Sequence, residues 1–265
     1  MKKDFFILVL LAIISTTFLL TIKANFLLST LVFFGLPSIF LSLKQPFKIL
    51  KTFVFSFLMC IPFTFIFDYL IAKDRGWYIV NSVFPWRLFD IVVIEQFIWS
   101  FLYICYIVMF YEYFLDKKEK RTLFHLHPRI KDFISPNMEY FSLFLFMLLA
   151  FFVLFAYLSP VTLQLDYAYL WLGTVFGIMP LSFFLFKFHN FLPRFIKITL
   201  YFFFLTTLVE YVGLTLNHWI FPGSNFLGMI DFFGYSIPYE EAVIYFIVST
   251  PALLSYYEFF DDDRR

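Results

Sequence analysis

Apolar runs long enough to cross a bilayer follow one another along the whole sequence, and the connections between them are short. A membrane-spanning helix needs about 20 mostly apolar residues. By that measure eight spans are expected, at roughly 5–22, 26–43, 52–72, 91–115, 141–158, 167–186, 195–216 and 237–257. The longest connection, about 116–140, has no room for a soluble domain. Residues are 62% hydrophobic and 15% charged, against roughly 45–50% and about 25% in soluble domains. A water-soluble globule of 265 residues cannot hide that much apolar surface. The expected fold class is an all-α membrane protein of eight transmembrane helices. The first run, behind Met1-Lys2-Lys3-Asp4, resembles a signal peptide, but it is long for one and no small-x-small cleavage site follows. It reads as a retained span.

Several function classes drop out. A formal charge of +1 with no dense basic face argues against nucleic acid as a partner. Cys60 and Cys105 sit inside apolar runs and read as small buried hydrophobes. There is no GxGxxG and no P-loop, so no nucleotide or flavin cofactor is identifiable. His125, His127, His189 and His218 do not form a metal-ligand set. A membrane metalloprotease of the Glu-Glu-x-x-x-Arg type is rejected, because Tyr245 stands at the arginine position.

Eight spans put both termini on one side, and the charges choose the side. It collects Lys2 and Lys3; Lys44, Lys48 and Lys51; Lys117, Lys118, Lys120, Arg121, Arg129 and Lys131; Lys187, Arg194 and Lys197; and Arg264 with Arg265. The other side holds Lys23, Lys73, Arg75 and Arg87. By the positive-inside rule both termini are expected in the cytoplasm, with the protein in the cell's inner (plasma) membrane.

Self-comparison brings out a tandem repeat. Asp68-Tyr69 and Trp77 recur as Glu210-Tyr211 and Trp219, 142 residues on, and Phe34-Gly35 recurs as Phe176-Gly177. Glu95 matches Glu241, and Tyr111-Glu112-Tyr113-Phe114-Leu115-Asp116 matches Tyr257-Glu258-Phe259-Phe260-Asp261-Asp262, at an offset of 146. The matching acids and tryptophans are not the residues that composition inflates. The expected domains are 1–139 and 140–265, each of four spans in the same orientation.

Ionisable residues at lipid depth cost about 2.5–3.5 kcal/mol on insertion scales and are functional candidates. Here they are Asp68, Glu95, Glu210, Glu240 and Glu241, all toward the non-cytoplasmic side. The bland alternative is that they bind loop amides, Trp77, Trp219, Asn217 or His218 and fix the outer loops. Glu112 and Glu258 lie among basic residues and read as interfacial pairing. In apolar surroundings neighbouring carboxyls favour the protonated acid, which can donate to a weak base. An alkene needs such a donor, and the carbocation formed needs a dry site with aromatic faces. Tyr239, Tyr245, Phe246, Trp99 and Trp219 are the candidate rings.

Ile237-Pro238-Tyr239-Glu240-Glu241, after Glu210 and Asn217-His218-Trp219-Ile220-Phe221, resembles the lycopene cyclase domain of membrane-integral, flavin-independent carotenoid cyclases. The resemblance covers nearly the whole chain, with four spans per copy. It implies a non-redox, acid–base closure of the linear ends of lycopene or a related carotenoid, with a lipophilic isoprenoid and membrane lipid as partners. Glu240 and Glu241 would be proton donor and acceptor, with Glu95 as third catalytic candidate. Asp68, Glu210, Trp77, Trp219, Pro238 and Tyr245 would support them and the substrate. The first copy departs from the pattern, with Val92-Val93-Ile94-Glu95 in place of Pro-x-Glu-Glu. Either the second copy alone protonates substrate, or Glu95 faces Glu241 across the repeat axis. A diverged non-catalytic isoprenoid binder, a proton-coupled transporter, a scaffold within a carotenoid-enzyme assembly and a homo-oligomer remain open at this level.

Overall fold

The computed structural model describes residues 1–116 and 136–260. Among them are eight helices long and apolar enough to cross a membrane: α1 (Lys2–Ile22), α2 (Phe26–Lys44), α3 (Pro46–Lys73), α4 (Ile94–Phe114), α5 (Pro136–Leu158), α6 (Ala168–Lys187), α7 (His189–Thr215) and α8 (Glu241–Phe260). Local chemistry sets their ends. Lys23 takes a left-handed conformation (φ 50°) and stops α1, and the Asn25 side chain accepts the Leu28 amide at 2.8 Å to start α2. Lys117 to Lys131, His125, His127, Asp261, Asp262, Arg264 and Arg265 lie outside the described residues.

The helices are apolar on every side, so what separates core from lipid face is side-chain size and polarity. The buried stripe of α1 is Asp4, Leu8, Ala12, Ser15 and Leu19, at spacings of three and four residues. That stripe lies against α7, while α5 lies against α3. α4 runs through the centre, where every residue from Tyr103 to Glu112 is buried.

Two ends of the bundle differ in chemistry. At one end Tyr111 donates to Glu258 and Tyr257 donates to Glu112, a reciprocal exchange between α4 and α8. Lys48 pairs with Glu112 at 3.3 Å, Arg194 with Asp116 at 3.6 Å, and Lys44 with Asp4 at 3.3 Å. The pairing expected for Glu112 is present, and each of the two glutamates also has a tyrosine from the other helix.

The opposite end adds strands that the all-α expectation lacked. β1 (Tyr78–Ile79) pairs antiparallel with β4 (Trp219–Ile220), β2 (Arg87–Leu88) with β3 (Val92–Val93), and β5 (Met229–Phe232) with β6 (Tyr235–Pro238). β3 and β6 feed directly into α4 and α8. Those helices therefore begin at Ile94 and Glu241, later than the 91 and 237 expected from hydrophobicity alone.

Three helices contain a π-helical segment: Leu31–Gly35 in α2, Thr174–Ile178 in α6 and Glu241–Val248 in α8. Each is followed within three residues by a proline, Pro37, Pro180 or Pro251. Proline has no N–H and its ring crowds the preceding turn, so the chain widens there. Glycine at 173 and 177 lets α8 approach α6, since a β-carbon at either would press on Ile244 or Val248.

Candidate functional site

Between the ribbon end and the middle of the bundle lies a cavity of about 230 Å³. Its upper part is lined by Asp68 of α3, Gln96 of α4, Glu210 of α7 and Glu241 of α8, with Trp77 and Trp219 beside them. Below these come Trp99, Tyr103, Tyr169 and Tyr245. The lower part is apolar, lined by Met59, Phe63, Phe176, Gly177, Leu253 and Tyr256. From Glu241 to Tyr256 the lining follows α8 for about 20 Å at about 1.5 Å rise per residue. Among the described residues no Lys, Arg or His lines it.

Each acid in the upper part is held by a named neighbour. Trp219 donates its indole N–H to Glu210 Oε1 at 2.9 Å, while Glu210 Oε2 has no hydrogen-bond partner among the described residues. Glu241 lies beside Glu210 and accepts the Tyr169 hydroxyl on Oε2 at 2.5 Å. The Gln96 amide donates to Asp68 Oδ1 at 3.4 Å. The Tyr245 hydroxyl is buried without a partner among the described residues. Trp99 stacks on Tyr103 with ring centroids 5.0 Å apart, and Tyr245 stands 5.7 Å and 5.9 Å from the two. Trp77 packs edge-on against Tyr169 at 5.0 Å.

The candidate acids thus divide. Asp68, Glu210 and Glu241 meet in one cavity. Glu95 and Glu240 do not line it. Glu95, fully buried, accepts the Ser82 hydroxyl and the Val83 and Phe84 amides. Glu240 accepts the Leu227 amide at 2.7 Å. For these two the loop-fixing alternative describes the contacts, and Glu95 does not face Glu241. Pro238 is buried at the end of β6, where it pairs with Met229. The candidate rings divide likewise. Trp99, Trp219 and Tyr245 line the cavity, whereas Tyr239 is half exposed against Gly228 and Phe246 packs on Phe203 and Phe232.

Sequence reasoning passed over Gln96, Tyr103 and Tyr169. Gln96 stayed hidden because the sequence pairs Glu95 with Glu241, which leaves Gln96 opposite Ala242. Tyr169 carried no signal: it lies in an aromatic stretch and reaches Glu241 from another helix.

A glycine places the Trp219 indole. A β-carbon on Gly213, one turn below Asn217, would overlap that ring. Gly213→Ala favours the helix by propensity, so its effect reports on the ring alone. The expected result is a shifted Trp219 emission with unchanged helix content by circular dichroism. Unchanged emission would show that Gly213 does not place the ring.

His218 supports the ribbon from outside the spans. It is 3% exposed and its Nε2–H donates to the Ala24 carbonyl at 3.0 Å. Burial pulls its pKa below the usual imidazole value, only partly offset by that hydrogen bond. A base with a lowered folded-state pKa contributes stability that is full above its unfolded pKa, about 6.5, and falls as pH drops below that. The melting temperature in detergent is expected to fall between pH 7 and pH 5, with a shallower slope in His218→Gln. Identical slopes would show that His218 does not carry the pH dependence.

Comparison with protein-family models, with curated proteins and with solved structures finds no match. Fold and site define a helical class with eight helices, among the described residues, long and apolar enough to cross a membrane, and an acid-headed, aromatic cavity.

Proposed function

We propose that this protein is a carotenoid cyclase of the lycopene cyclase type, closing the linear end of a carotenoid by proton transfer inside the membrane. The observation that carries the reading is the cavity's polarity: three carboxyls at its head and an aromatic and aliphatic tail below. A linear polyene end fits that polarity, with its terminal double bond at the acids and its chain along the tail. With no basic side chain in the lining among the described residues, Glu210 and Glu241 share a proton and act as the donor pair. Protonation gives a tertiary cation, and Trp99, Tyr103 and Tyr245 offer it ring faces in a mostly apolar lining. Closure conserves oxidation state, so the reaction consumes no redox cofactor.

The reading includes two four-span copies, 1–139 and 140–265. Three pairings support it. Tyr78 pairs with Ile220, its counterpart 142 residues on. The Tyr111–Glu258 and Tyr257–Glu112 bonds exchange equivalent partners. The π segments of α2 and α6 both contain a Phe-Gly pair. At the site, Glu95 and Glu240 both bind loop amides, and Gln96 and Glu241 both reach the acid of the preceding helix. Glu95 therefore corresponds to Glu240, at an offset of 145, and Gln96 to Glu241. The wider π segment of α8 absorbs the extra residue before the offset of 146 at Tyr257. In this reading the ends bearing Lys44, Lys48 and Arg194 face the cytoplasm with both termini, in the inner membrane.

Expression in lycopene-accumulating bacteria, followed by pigment chromatography, tests the reading. Cyclic carotenoid is expected. Lycopene alone, with the protein confirmed in the membrane fraction, would overturn the lycopene-specific form.

A further inference from the structure

A cyclase must take back as many protons as it gives, and with Glu240 bound to the Leu227 amide outside the cavity the acceptor has to be sought again. Glu210 stands beside the donor and is tied to Trp219, so its position places it with the donor. Asp68 is the remaining carboxyl in the lining. It is carried by a different wall, α3, is 5% exposed, and its one hydrogen-bond partner among the described residues is Gln96. The Glu210 equivalent in this half is thus a carboxyl beside a neutral amide, not a carboxyl beside a second carboxyl. An amide N–H favours the anion, and without a second acid there is no proton to share.

We propose that Asp68 is the catalytic proton acceptor, and that Gln96 in place of a second glutamate makes the first copy the basic half of one shared site. This rests on the cyclase reading. The step balances as follows. Glu241 gives its proton to the less substituted carbon of the terminal double bond, leaving a tertiary cation and a Glu241 carboxylate. The next trisubstituted double bond supplies the electron pair for the ring-closing carbon–carbon bond and becomes the new cation. A carbon next to that cation loses its proton to Asp68, and the carbon–hydrogen pair forms the ring double bond. Substrate and product are isomers. Between turnovers Asp68 loses its proton to solvent and Glu241 takes one up from it, which resets the site and consumes nothing.

The test is cyclisation in membranes suspended in deuterated water, with both cyclic product and recovered linear substrate analysed by mass spectrometry. Wild type is expected to give cyclic ends carrying one solvent deuterium each. Asp68→Asn keeps the donor and loses the acceptor. Cyclic product is expected to fall by about 10²–10⁴-fold, while recovered linear substrate still gains deuterium by reversible protonation. Glu241→Gln loses both. Asp68→Glu is expected to restore part of the cyclisation, which a purely structural role for the carboxyl would not explain. Cyclisation by Asp68→Asn at the wild-type rate, or loss of cyclisation and exchange together, would overturn the assignment. If Asp68→Asn is not recovered from the membrane, Gln96→Glu decides. A second acid beside Asp68 should lower cyclisation and leave exchange, and an unchanged rate overturns the proposal. Wild type giving neither product nor exchange would instead overturn the cyclase reading.

Discussion

Glu241→Gln is expected to lower cyclisation by about 10²–10⁴-fold, the range a general acid contributes, with the protein still folded. The amide oxygen can still accept the Tyr169 hydroxyl that now reaches Glu241 at 2.5 Å, so packing around the residue persists. What disappears is the transferable proton. Glu240→Gln makes the contrast, because its neighbour is as buried but faces the loop. The Leu227 amide would donate to the oxygen of the substituted side chain as it does to Glu240, and turnover should stay within a few fold of wild type. Glu95→Gln should behave like Glu240→Gln, since its oxygens also bind loop groups. Product rates for the three variants, normalised to protein in the membrane, check the set. Retained activity in Glu241→Gln removes its role as donor. Equal losses at 240 and 241 would return the motif to a shared, unresolved function.

The eight spans are legible in the sequence because lipid demands about 20 apolar residues each time, whatever the helix packs against. The same uniformity hides which face is buried. In α1 the inward residues are Ala12 and Ser15 as much as Leu8 and Leu19, a pattern of size and not of hydrophobicity. The ribbons were missed because Val92-Val93 and Ile237-Pro238 continue the apolar run into α4 and α8 without a break. Which acids face the cavity was likewise beyond the sequence. Adjacent glutamates point about 100° apart on a helix, so one of 240 and 241 had to face elsewhere, but the spacing does not say which. The loop between α7 and β5 decides it, by presenting the Leu227 amide to Glu240. Gln96 was readable only once Glu95 was seen to copy that loop contact.

The tail of the cavity makes the second large expectation, on substrate length. A cavity of about 230 Å³ is smaller than the ~300–1,000 Å³ that houses a drug-sized ligand, so it can hold one end of a long polyene but not the whole. The remainder must run down the tail past Phe63, Phe176 and Gly177. Phe63, Phe67 and Phe176 meet there with centroids 5.3–5.7 Å apart, and Tyr256 fixes the α6 backbone by donating to the Phe176 carbonyl at 3.0 Å. Gly177 lies in that wall, and a β-carbon there would stand close to Val248. Gly177→Phe fills the tail without touching the carboxyls. It should abolish conversion of the full-length linear carotenoid, by about 10²-fold or more given the sensitivity of rate to placement. An acyclic analogue carrying only the terminal isoprene units should still be cyclised. Val175→Phe, on an exposed position two residues away, should change neither. Competition between the two substrates in the same membranes reads this as a ratio, which is independent of how much variant protein is present. A ratio equal to that of wild type would mean that the polyene leaves the acids by another route, and that the aromatic tail serves packing alone.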